Sequence, residues 1–94
     1  MKIVEEYDEK YEVNLIEIES ANYINGYVIQ IRFTNGFEQL VDFEPFLSAS
    51  LHPSIKKYLN KKLFTEFHIV DGNINWNDYD MIFPVTDLYK GKIE

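Results

Sequence analysis

The chain has 94 residues, 46% of them hydrophobic and 16% aromatic, enough apolar surface for one core and too little for two independently folding units. It contains no cysteine, which excludes disulfides, thiolate metal sites and cysteine nucleophiles and suits a reducing compartment. Sixteen acidic against nine basic residues leave a net charge of −7. That balance argues against nucleic acid as a direct ligand, because affinity for phosphate backbones comes largely from Lys and Arg displacing counterions.

Residues 1–12 turn acidic at Glu5 and Glu6, so no apolar leader follows Met1. No apolar run approaches the roughly 20 residues that cross a bilayer. The expectation is therefore a cytoplasmic protein with no membrane association. Residues 1–12 are expected to form a mobile acidic arm, with Ile3, Val4, Tyr7 and Tyr11 able to pack, in front of a single domain over 13–94.

Three turn dipeptides, Asn25-Gly26, Asn35-Gly36 and Asp71-Gly72, organise that domain, since each tolerates the positive φ of two-residue hairpin turns. Residues 13–20 are rich in β-branched side chains and predict a first strand. In 27–34, Tyr27, Ile29, Ile31 and Phe33 alternate with Val28, Gln30, Arg32 and Thr34, the pattern of a half-buried strand. Residues 37–43 alternate likewise and complete an antiparallel meander, which Glu44-Pro45 ends because proline gives no ladder donor.

From 53 to 60 the pattern changes: Leu51, Ile55, Tyr58 and Leu59 recur at helical spacing and Pro53 suits a first-turn position, so one short helix is predicted. Strands over 65–70 and 73–76 flank Asp71-Gly72 as a hairpin. Its second strand is expected to point Ile74 and Trp76 inward and Asn73 and Asn75 to solvent. The tail, 84–89, reads as a turn or one helical turn laying Leu88 and Tyr89 on the core. The fold class is thus α+β: a small antiparallel sheet, meander plus hairpin, with one short helix.

No constellation for a known reaction is visible, and no cofactor is implied. Asp71, Asn73 and Asn75 occupy the first, third and fifth positions of a calcium loop, but Trp76 stands where the loop needs Gly and Ile82 where it needs a bidentate acid. His52 and His68 lack a partner at ligand spacing, so no metal site is predicted. Ser20, Ser48, Ser50 and Ser54 sit in no nucleophile-elbow context. Asp78 and Asp80 read as solvated turn residues rather than an acid–base pair. Lys56, Lys57, Lys61 and Lys62 put four positive charges in seven residues, and read as a solvated helix face where an anion could dock.

Several pieces in order, Phe33-Thr-Asn-Gly36, Val41-Asp-Phe43 with Pro45-Phe-Leu47, Leu63-Phe64, Gly72-Asn-Ile-Asn-Trp76 and Asp87-Leu-Tyr89, resemble the bacterial family called domain of unknown function 2442. The resemblance runs over about residues 13–90. It departs from the family pattern after Trp76, where a turn Gly is missing and the spacing to Leu88-Tyr89 differs. It implies a small α+β domain without an established activity, and genes placed beside another small family in the manner of toxin and antitoxin pairs.

Two function classes follow. The first is a non-enzymatic protein-interaction module, an antitoxin-like partner of a neighbouring small protein, that partner being basic; a structural subunit of a homodimer through an exposed sheet edge stands apart as a third possibility. The alternative is a small-ligand binder or enzyme with a pocket near Trp76, Asp78, Tyr79 and Asp80. The residues singled out for interaction are those four together with Lys56, Lys57, Lys61 and Lys62.

Overall fold

The computed structural model describes residues 16–77 and 79–93. Strands β1 (Ile18–Asn25), β2 (Val28–Phe33) and β3 (Glu38–Asp42) form an antiparallel meander. Helices α1 (Glu44–Ala49), α2 (Pro53–Lys56) and α3 (Lys61–Phe64) follow, with a 3-10 turn at Lys57–Leu59 between the last two. A hairpin of β4 (Phe67–Val70) and β5 (Asn73–Trp76) and a final helix α4 (Val85–Lys90) complete the α+β arrangement. The class and the meander-plus-hairpin plan agree with the sequence expectation.

Alternation in β2 and β3 does what the sequence predicted. Ile29, Ile31, Phe33, Val41 and Phe43 are all fully buried, facing Phe64, Ile74, Trp76 and Leu88 across one core. The two sheets are tied where the Ile18 amide donates to the Gly72 carbonyl at 2.8 Å. That approach requires glycine, because a Cβ at Gly72 would lie 2.6 Å from the Glu17 side chain, and φ there is +79°.

The three turns differ in kind. Asp71 and Gly72 both adopt positive φ (51° and 79°), as a two-residue type I′ loop requires. At the first turn the loop is Gly26-Tyr27, one residue later than predicted, with positive φ at Gly26 alone. At the second, the Gly36 amide donates to Phe33 and Phe33 to Phe37, both at 2.8 Å. With Gly36 at φ +90°, this is a three-residue loop closed by a glycine bulge.

β1 runs over 18–25 rather than 13–20. Register shifts between Ile18 and Ser20 and between Tyr23 and Asn25 break its apolar alternation, which hides the strand from a period-two reading. Residues 13–15 of the predicted strand, and the predicted arm over 1–12, lie outside the described residues.

The single predicted helix over 53–60 is instead the short α2 and a 3-10 turn, and a further helix, α3, begins at Lys61. Asn60 is extended (φ −73°, ψ 113°) and its Oδ1 accepts from the Lys62 amide at 2.9 Å, so it starts α3 rather than ending α2. Helix α1 escaped the sequence reading because six residues give too little periodicity: only Leu47 on it is fully buried. The tail is helical over 85–90 and stops at Gly91 (φ 78°), an αL cap.

Candidate functional site

β5 delivers Trp76 to the centre of the core. Its side chain is fully buried, its Nε1 donates to the Phe64 carbonyl at 2.7 Å, and its ring lies 5.8 Å from Phe64 and 5.4 Å from Phe43. The expected core role is what the structure gives it. At 0% exposure it offers no surface to a partner.

Beyond Trp76 the chain doubles back sharply, with the Asp80 amide donating to the Trp76 carbonyl at 3.1 Å. Asn77 and Tyr79 sit at φ 54° and 62°, in the left-handed region that favours glycine. Tyr79 is 53% exposed. Asp78 lies outside the described residues.

Asp80 is not the simple solvated turn residue expected. Its Oδ2 accepts from the Tyr58 hydroxyl at 2.9 Å and from Asn77 Nδ2 at 3.2 Å, and it pairs with Lys57 Nζ at 2.9 Å. The turn thus joins the acidic and lysine clusters that the sequence reading kept apart. Lys57, then Tyr58 and Asn77, hold the Asp80 carboxyl below its ordinary range. Burial, reinforced by the bond to Asp80, pushes the Tyr58 hydroxyl up to about 12. An ionised acid engaged by three donors and a phenol kept protonated make a clamp, with the carboxylate already occupied.

The lysine face is equally divided. Lys57 is committed to Asp80 and Lys61 lies 5.8 Å from the Tyr27 ring, while all four lysines are exposed. Beside the clamp is a cavity of about 560 Å³ lined by Lys57, Tyr58, Leu63, Glu66, His68 and Asn77. Of the described residues singled out for interaction in the sequence, only Lys57 lines it. Among the described residues no group of His, Asp or Glu could hold a metal.

β5 differs from expectation on its second face. Asn75, predicted to face solvent, is only 6% exposed. Asn73 Nδ2 donates to the Phe83 carbonyl at 3.0 Å and Asn75 Nδ2 to the Asn77 carbonyl at 3.3 Å. The chain after Trp76 therefore returns across the face expected to be wet. Among the described residues, Asn75 Oδ1 meets no donor.

Sequence reasoning passed over the outer face of the meander. Cross-strand register brings Ser20, Arg32 and Glu38 into one row, Asn22, Gln30 and Leu40 into the next, and Asn25, Val28 and Asp42 into a third. None of these nine is buried, and Leu40 is 58% exposed. Arg32 is bracketed by Glu38 at 2.9 Å and by Glu19, from the β1 bulge, at 3.3 Å. With its one cation already shared by two carboxylates, the face is acidic around an apolar centre. Alternation in β3 carried the signal: Leu40 sits between Glu38 and Asp42 where a polar residue was due.

Comparison with known proteins gives one finding. A family model described as "Protein of unknown function (DUF2442)" matches residues 18–94. No curated protein and no solved structure matches.

Proposed function

The chain belongs to the DUF2442 family, and from that premise we propose that it is a non-enzymatic protein-interaction module whose acidic outer sheet face receives a basic protein partner. The observation that carries this reading is Leu40, 58% exposed at the middle of a face bearing Glu19, Glu38 and Asp42. An exposed apolar residue on a face whose three carboxylates outnumber its one arginine has the layout of an interface, with an apolar contact for affinity and a field that speeds encounter. The net charge of −7 extends that field. In the arrangement implied by the family resemblance, the partner is a neighbouring small toxin-like protein and this chain its antitoxin, both in the cytoplasm.

The test is capture from the native cytoplasm with the tagged full chain. A basic protein that is retained at low salt, released at high salt and lost on Glu19→Lys, Glu38→Lys, Asp42→Lys replacement supports the reading. An acidic partner, or a basic one that survives the triple replacement, overturns it.

Ligand binding in the cavity beside the clamp is the second reading. What favours it is a polar lining of Lys57, Glu66, His68 and Asn77. A metabolite that raises the melting temperature of wild type but not of His68→Ala would support this alternative.

A further inference from the structure

Two asparagines of the chain, Asn25 and Asn35, are followed by glycine; all the others precede larger residues. Asparagine before glycine is prone to cyclise, because no Cβ shields the next backbone nitrogen from the side-chain carbonyl. The fold treats the two sites differently. At Asn35 every reacting group is engaged: Nδ2 donates to the Tyr89 hydroxyl at 3.1 Å, Oδ1 accepts from the Phe37 amide at 3.0 Å, and the Gly36 amide donates to the Phe33 carbonyl at 2.8 Å. At Asn25 the side chain is exposed, and among the described residues neither it nor the Gly26 amide has a hydrogen-bond partner. The Tyr23 hydroxyl donates to the Gly26 carbonyl at 3.0 Å, which leaves the glycine nitrogen unengaged. The register shift between Tyr23 and Asn25 interrupts the ladder just before the site, and among the described residues no atom crowds the space beside Gly26.

We propose that Asn25-Gly26 is a site of spontaneous covalent modification through a cyclic imide, and that the fold protects Asn35-Gly36 from the same reaction. The Gly26 nitrogen bonds to Asn25 Cγ, the Cγ–Nδ2 bond breaks, and ammonia leaves with the proton that the Gly26 amide gives up. Solvent water then adds across one of the two carbonyl–nitrogen bonds of the ring that the main chain crosses. One opening restores the original main chain and leaves an aspartate. The other routes the main chain through the former side-chain carbonyl and leaves an isoaspartate. Water is the only co-reactant, and nothing is oxidised or reduced. Either product sets a new carboxylate at position 25, in the cross-strand row of Val28 and Asp42 on the outer sheet face. Its effect on a basic partner rests on that face being an interface; the modification itself does not.

The experiment is peptide mapping by mass spectrometry of the purified full chain, incubated without any partner in neutral and mildly alkaline buffer. Cleavage after Arg32 puts the two sites on separate peptides. The peptide ending at Arg32 is expected to gain the mass of an amide-to-acid exchange at Asn25, as a mixture of aspartate and isoaspartate, and faster at the higher pH. Asn35 should react at least about tenfold more slowly, since its hydrogen bonds must break before the ring can close. In urea that unfolds the chain the two sites should react at similar rates, because the fold alone distinguishes them. Gly26→Ala, whose Cβ shields the attacking nitrogen, should suppress the change at Asn25. An Asn25 that stays unmodified, an Asn35 that reacts as fast in the folded protein, an undiminished rate in Gly26→Ala, or a product without isoaspartate overturns the proposal.

Discussion

Two of the loops that take left-handed backbone, the one between β2 and β3 and the one after β5, obtain it by opposite means. Between β2 and β3 the residue at φ +90° is Gly36, with no neighbouring atom near enough for a Cβ to meet. Local sequence alone makes that turn cheap. After β5 the left-handed positions are Asn77 and Tyr79, and no glycine is present. There the conformation is held by tertiary bonds: the Asp80 amide to Trp76, and Tyr58, Asn77 and Lys57 all on one carboxylate oxygen. A loop encoded locally stands by itself, whereas one encoded by distant partners is only as secure as the packing behind it. What glycine would supply locally at this turn is thus supplied by a clamp, whose anchor is the core.

The strongest way to break the clamped loop is to remove that anchor. Trp76→Ala should destabilise the protein by about 3 to 5 kcal/mol, measured by urea or thermal unfolding. It empties the space between Phe43, Phe64 and Phe83 and frees the Phe64 carbonyl from its 2.7 Å bond. A loss below about 1 kcal/mol would show that Trp76 is not the centre of the core.

The clamp itself is tested through pH. The Asp80 carboxyl is depressed in the fold, so its contribution is present above the ordinary value of 3.8 and is lost as pH falls through the lower folded value. The Tyr58 hydroxyl is raised to about 12 from 10.0, so its contribution is present below pH 10.0 and is lost as pH rises towards 12. Melting temperatures of wild type should therefore fall at both extremes. Tyr58→Phe should lower stability near neutrality by about 1 kcal/mol and flatten the alkaline slope, while Asp80→Asn should flatten part of the acid slope. Unchanged slopes in both variants would mean that the clamp carries no stability.

How much of this was legible in the sequence follows the same division. β2 and β3 were readable from period-two alternation and the β4–β5 hairpin from its Asp71-Gly72 turn, because both are local signals. β1 was displaced by its bulges, and α1 and the split helix were hidden by their shortness and by the Asn60 cap. Trp76 was correctly assigned to the core from its strand face. The bond between Tyr58 and Asp80 joins residues 22 apart, so neither cluster announced the other. Asn75 is buried because residues after Trp76 fold back over it, a long-range event that strand alternation cannot foresee.

The smallest expected effects are also the most direct comparison of the two loops, since they exchange the means by which each is held. Gly36→Ala meets no atom within 4 Å, so its cost is purely conformational, about 1 kcal/mol for a residue forced to φ +90°. Tyr79→Gly runs the other way. It relieves a bulky residue at φ 62°, worth about 1 to 2 kcal/mol, against the extra freedom glycine gives the unfolded chain, about 0.5 to 1 kcal/mol. Because Tyr79 is 53% exposed, little packing is lost with its ring. The net expectation is a gain of up to about 1 kcal/mol, read as a raised denaturation midpoint with an unchanged slope. Opposite signs for the two variants would establish that the second loop carries strain which the clamp holds in place. A loss of stability in Tyr79→Gly would place the tyrosine ring, rather than the Asp80 bonds, among the groups that secure the loop.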